Sequence, residues 1–207
     1  NGHVIKNLKV SAKFIHSGLF GVIGSGGVIK NLGLENCDIE SYDDAGTIEG
    51  AGMDVASNVG TILNCYATGT VKGSEAGGLV GAGFKKIINC YTVCNAESTD
   101  AVKGHASGIA AIPSGRIEIK NCVALGQKLT GGQSDQEGSP RTTRILFYTS
   151  DDITDNNYAY AQMKVNGSDI PTSSDFYGHN KDHGANISYS SGKGLDKQFS
   201  EIFKDIG

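Results

Sequence analysis

The sequence predicts an all-β fold, a parallel β-helix of about five to six rungs. Three observations lead there: a phrase built on I-x-N that recurs along the chain, a second phrase framed by glycines that recurs with it, and strand-like alternation inside each unit. The marker asparagines are Asn7 in VIKNLKV, Asn31 in VIKNLGL, Asn64 in TILNCYA, Asn89 in IINCYTV, Asn121 in IKNCVAL and, more loosely, Asn157 in DNNYAYA. The apolar residues inside the glycine phrases are Leu19, Ile48, Leu79, Ile109 and Ile145, which step by 29, 31, 30 and 36 residues. The agreement of AGTIEGAG (45–52) with AGGLVGAG (76–83) identifies the unit whose glycine phrase is otherwise disguised.

Within TILNCYATGTV, alternation places Ile62, Cys65 and Ala67 on one side and Leu63, Tyr66 and Thr68 on the other, with a slip of phase at Asn64. Asparagine tolerates left-handed backbone angles better than most residues, so the slip reads as a corner between two strands. Stacked corners predict a ladder of side-chain amides through Asn7, Asn31, Asn64, Asn89 and Asn121. The residue after the marker is Leu8, Leu32, Cys65, Cys90 or Cys122. A slot that takes leucine or cysteine is apolar and inward, which predicts free, buried thiols. Cys37 and Cys94 fall outside that slot. An odd total of 5 cysteines with no C-x-x-C supports neither a disulfide framework nor a zinc site.

The phrases GLFG, GGLVG and GTILNCYATG resemble GLUG repeats, found in adhesin-like cell-surface proteins of bacteria and in the N-terminal region of IgA-specific metallopeptidases. The resemblance covers residues 2–160. It implies a right-handed β-helix on an exported bacterial protein, extracellular or at the cell surface. SGIAAIPSG and TRILFYTSDD depart from the pattern, as expected of a repeat decaying toward a capped end.

Composition fits many short strands and tight turns: 30 glycines, 3 prolines and no tryptophan in 207 residues. The net charge of −4 is interspersed, with no basic block to invite nucleic acid or an anionic membrane. No apolar run is long enough to insert in a bilayer. Opening on NGHVIKNL in mid-pattern, the sequence predicts a longer precursor with earlier rungs, an export signal and other domains, and an exposed strand edge at residues 1–15. Excursions from the repeat are expected at 38–46, 52–60, 95–106 and 126–142, where binding usually resides. Residues 161–207 read as a separate, irregular capping segment. It ends in a short helix over 195–206, with Leu195, Phe199, Ile202, Phe203 and Ile206 at helical spacing.

Catalytic chemistry is hard to find. H-E-x-x-H is absent, and His179 and His183 in HNKDH lack the glutamate and read as surface histidines. Asp43/Asp44 and Asp151/Asp152 read as solvated turn charges, and the arginines, Arg116, Arg141 and Arg144, form no repeated column with carboxylates. No catalytic, cofactor or metal residue is assigned. Tyr66 and Tyr91 share an outward slot and are the candidate ligand contacts, as a sugar platform or as a structural pair. The expected function is a non-catalytic adhesion module, a stiff rod whose loops meet a glycan or a host or matrix protein. The alternatives are a carbohydrate-active β-helix enzyme, an accessory part of a surface protease, or a passive spacer.

Overall fold

The computed structural model describes residues 3–11, 15–24, 26–50, 60–113, 117–133, 141–147, 153–170 and 183–188. Among them there is no helix, and every strand pairing between named strands is parallel. The chain is an all-β solenoid whose strands stack as sheets on successive faces. The long face is a 10-stranded sheet running from His3–Lys6 through Leu32–Glu40, Tyr66–Gly73 and Tyr91–Ser98 to Tyr158–Tyr160 and Ala185–Ile187. A second face stacks His16–Ser17, Asp44–Gly46, Glu75–Gly77, His105–Ser107 and Thr142–Thr143. The third stacks Val28–Lys30, Thr61–Leu63, Lys86–Ile88, Glu118–Lys120 and Ile153–Asp155. Val80–Ala82 and Ala110–Ile112 form a two-stranded sheet between the second and third faces.

Asparagine turns the corner from the third face to the long face. Every non-glycine residue of positive φ among the described residues is an asparagine: Asn7, Asn31, Asn36, Asn64, Asn89, Asn121, Asn156 and Asn166, with φ between 50° and 57°. Asn64 donates its amide to Asn31 Oδ1 at 3.2 Å, Asn89 to Asn64 at 3.1 Å, Asn121 to Asn89 at 3.0 Å and Asn156 to Asn121 at 2.8 Å. These partners are 33, 25, 32 and 35 residues apart, so coils of unequal length share one corner.

Two asparagines sit elsewhere than the sequence markers place them. Asn7 stacks under Asn36, which donates to its Oδ1 at 2.7 Å, and belongs to a bulge in the long face instead of the corner column. The corner residue near the C-terminal end is Asn156, while Asn157 takes the next slot and is fully buried.

Inside the coils, side chains stack in columns. Ile62, Ile87 and Ile119 are buried in register with one another, and Ile48, Leu79, Ile109 and Ile145 form a second column beneath the glycine phrases. Each such isoleucine contributes roughly 2 kcal/mol by leaving water. The glycines there let coils close up: a Cβ on Gly46 would stand 2.6 Å from the Leu79 carbonyl oxygen.

Cys65, Cys90, Cys122 and Asn157 complete a column begun by Leu32. Each thiol donates to a carbonyl two residues back, at 3.1–3.2 Å. Leu8 is in a different column, level with Cys37, because Lys9 pairs with Asp38. Cys37 and Cys94 are buried as well, on either side of Gly69 in register. The expected excursions at 38–46 and 95–106 are largely strand, since Leu32–Glu40, Asp44–Gly46, Tyr91–Ser98 and His105–Ser107 run through them. Strand pairing also continues beyond residue 160, where Lys164–Val165 joins Lys128–Thr130. Residues 195–206, where a helix is expected, lie outside the described residues, as do 51–59 and 134–140.

Replacing Asn89 tests the corner. Alanine loses the ladder bonds and meets the left-handed penalty, whereas glycine loses only the bonds. Denaturant unfolding should show Asn89→Ala destabilised by about 2 kcal/mol and Asn89→Gly by about half that; equal losses would contradict a conformational role. The cysteine columns make a second prediction. All five thiols are free and buried. Burial pushes the Cys37, Cys90 and Cys94 thiols up, and the Cys65 thiol is raised first by its contact with Cys90 and then by burial. An aromatic disulfide reagent should therefore label none in the native protein and all five after denaturation.

Candidate binding face and its buried charges

On the long face, residues that alternate with the interior point outward in register. One column runs Lys9, Asp38, Thr70, Asn95, Lys128 and Lys164; beside it run Ser11, Glu40, Lys72, Glu97 and Thr130. Neighbours in a column stand about 4.8 Å apart, the spacing of paired strands. Asp38, Glu40, Thr70, Lys72, Asn95, Glu97, Lys128 and Thr130 surround a shallow groove of about 160 Å³, floored by Val71 and Ala96.

Several of these groups are already engaged. Lys9 lies 2.9 Å from Asp38 and Lys72 lies 3.3 Å from Glu97. The Lys9 ammonium, through its hydrogen bond and charge, holds the Asp38 carboxyl below its ordinary range. Asn95 Oδ1 accepts the backbone N–H groups of Gln127 and Lys128, both at 2.9 Å. That fixes the amide and aims its Nδ2 donor outward. Among the described residues the Lys128 ammonium has no ion pair, so Lys128, Asn95 Nδ2 and the Thr130 hydroxyl remain open to a ligand.

Tyr66 and Tyr91 lie on the same face, upstream of the groove. Their rings stack with centroids 5.0 Å apart and planes 3° from parallel. The other side of the Tyr66 ring covers Gly33, where a Cβ would collide with it, and its hydroxyl donates to Glu35 Oε1 at 2.8 Å. Glu35 is in turn 2.8 Å from Lys6, and these hydrogen bonds lower its carboxyl pKa, Lys6 first and Tyr66 second. Both faces of Tyr66 are therefore covered, one by Gly33 and one by Tyr91. The flat aromatic surface that a sugar platform needs is already used between the coils.

The second face carries a feature the sequence reading passed over. His16, Asp44, Glu75, His105 and Arg141 stack in register as one ionisable column. His16 Nδ1 lies 2.7 Å from Asp44 Oδ2, and His105 Nδ1 lies 2.7 Å from Glu75 Oε2. Arg141 is 3.1 Å from His105 Nε2; a guanidinium only donates, so Nε2 accepts and the imidazole proton is on Nδ1, facing Glu75. Asp44 is buried in a strand, a correction to its reading as a solvated turn charge. The signal was present: each of these residues precedes its glycine-phrase marker by four positions, or three in the first coil.

At the C-terminal end, Arg144 and His183 are buried where solvated charge was expected. Arg144 donates to Asn186 Oδ1 at 2.7 Å and to the carbonyls of Gly184 and Tyr160 at 3.1 and 3.3 Å. His183 Nδ1 accepts the Arg144 backbone N–H at 3.2 Å. Asp151, Asp152, Arg116 and His179 lie outside the described residues.

Burial, and then the Arg144 charge, push the His183 pKa down to about 4. The folded state thus holds this imidazole neutral while the unfolded chain takes up a proton near pH 6.5. Its contribution to stability is complete above that pH and is lost as pH falls toward 4, by on the order of 3 kcal/mol in total. Denaturation at a series of pH values should show this loss in the native sequence and a shallower one in His183→Gln. Identical slopes would contradict it.

No protein-family model matches the chain. Over 76 residues, 36% of the chain, it is 42% identical to Halomucin of Haloquadratum walsbyi (strain DSM 16790 / HBSQ001), and that match covers 1% of Halomucin. Its fold is similar to the crystal structure of a putative immunoglobulin A1 protease from Bacteroides ovatus, with a TM-score of 0.67 and 25% identity over 100% of this chain and 71% of the other.

Proposed function

We propose that this chain is a non-catalytic binding module of an exported, surface-associated bacterial protein. It is a stiff, right-handed rod of about five to six rungs whose long face engages an extracellular glycan or a host or matrix protein. The observation that carries the reading is the groove: uncommitted donors on Lys128, Asn95 and Thr130 stand on a rigid lattice among ion-paired neighbours. A ligand lying across the strands meets groups held at one spacing, so little ordering is required on binding. Likeness to Halomucin and to the Bacteroides ovatus protein supports the placement outside the cell. Of the three carboxylates that line the groove, Asp38, Glu40 and Glu97, two are each engaged by a lysine, which favours binding over hydrolysis.

A second reading, an accessory part of a surface protease, is favoured by the likeness to the Bacteroides ovatus protein, which extends over the whole of this chain. On that reading the same face would hold the protease's macromolecular substrate.

Glycan and matrix-protein arrays test the proposal. The native chain should retain at least one ligand, and Lys128→Glu combined with Thr130→Lys should weaken it by about 10-fold or more with the fold intact. Binding that is indifferent to these changes would move the site off the long face; an array without any ligand would sink the module reading.

A further inference from the structure

The first coil differs from those stacked on it. Its strands His3–Lys6, Lys9–Ser11, His16–Ser17 and Val28–Lys30 pair on one side only. Its interior is open: Ile5 is 38% exposed, whereas Leu34 and Ala67 above it in the same column are 0% exposed. Leu8, Val10, Leu19 and Ile29 are only partly buried against the core. Among the described residues, the exposed large apolar side chains are Val4, Ile5, Ile15, Phe20, Val22 and Val28 of this coil, plus Tyr42 and Val102.

Polar groups tell the same story. Each ladder amide donates toward the N-terminal side, as Asn36 does to Asn7, and Asn7 Nδ2 has no acceptor among the described residues. The Ser17 hydroxyl is buried without a hydrogen-bond partner. The last described coils are the opposite, with the polar side chains of Asn157, Arg144 and His183 buried and hydrogen-bonded in their interior.

We propose that the N-terminal end is a stacking surface for one further coil of the same kind. That partner presents a parallel strand to each face, an apolar interior over Ile5, Leu19 and Ile29, and a side-chain acceptor over Asn7. The interface is the one the molecule already makes between its own coils, continued by one step. A second copy of the chain fits this surface less well. Related by a two-fold axis, it would bring antiparallel strands and a second unsatisfied Asn7 donor to the contact. Approaching by its C-terminal end, it would set against an apolar opening a coil whose interior positions are taken by Arg144, Asn157 and His183, already hydrogen-bonded within the fold.

Two extended chains test this. The register Val4, Gly33, Tyr66 allows residues 66–90, or alternatively 33–65, to be duplicated directly ahead of Val4, which sets Ala67 or Leu34 over Ile5 and Thr68 or Asn36 at the level of Asn7. Hydrogen exchange at the edge strands is compared with that of the unextended chain, and sedimentation gives the oligomeric state. Monomers whose edge amides in residues 4–6 and 28–30 exchange about 100-fold or more slowly are expected in both cases, with the inner strands unchanged. Edge amides that keep their original rates overturn the proposal, as does disturbance of the inner strands by both added coils, since a fitting coil leaves them as they are. An unextended chain that sediments as a dimer with these amides already protected also overturns it, and makes a second copy the occupant.

Discussion

The rest of the structure depends on a left-handed asparagine whose amide bonds to the same residue one coil away. Strand side chains alternate between interior and solvent, so a slip of one residue in register would turn each column inside out. The corner prevents this twice over. Only a few residue types accept φ near 55° without a large penalty, and among those asparagine alone combines an acceptor oxygen with an amide donor on a short side chain. Coils spanning 25 to 35 residues can then differ in their loops and still enter the long face at one level. Cysteine follows from the corner. The next side chain points inward where the chain bends, and a small thiol that bonds to a nearby carbonyl fits there.

This arrangement explains which parts of the fold were legible in the sequence. Leu19, Ile48, Leu79, Ile109 and Ile145 could be aligned by eye because coil geometry repeats there and a glycine brackets most copies. VIKNL could not be read the same way. It occurs twice, ending on Asn7 and Asn31 before the same leucine, yet one copy lies in the long face and the other turns the third face into it. The pentapeptide is identical and the hydrogen-bonded neighbours differ. Local strings specify left-handed asparagines; the pairing partners, some thirty residues away, decide which column each one joins.

Charged residues were harder still, for a related reason. Asp43/Asp44 and HNKDH have the local composition of solvated turns. The burial of Asp44 and His183 comes from residues distant in sequence: His16 and Glu75 lie below and above Asp44, and Arg144 is 39 residues from His183. A stacked fold turns positions one coil apart into neighbours about 4.8 Å apart, so a column of ionisable groups is visible only after the coils are superposed. For Tyr66 and Tyr91 the sequence left a sugar platform and a structural pair open. Stacking at strand spacing favours the second, because rings in register cover one another's faces.

The two polar columns differ in what they leave for a ligand, and that difference is the reason the long face is the proposed binding face. On the second face each carboxylate of the pair Asp44 and Glu75 has an imidazole 2.7 Å away, and the row ends on a guanidinium, so its charged groups face one another within the fold. Buried like charges on adjacent coils are tolerable only with such partners. On the long face the pairing is incomplete by construction. Lys9 takes Asp38 and Lys72 takes Glu97, but Thr70 and Asn95 interrupt the alternation, and Lys128 follows without a carboxylate opposite it. Asn95 spends its oxygen on two backbone donors and thereby turns its amide nitrogen outward. Apart from Asn95, whose oxygen holds the next coil, the solenoid uses these outward positions for their backbone pairing. Selection can therefore change their side chains without disturbing the columns within, and a surface of that kind is where specificity can be set.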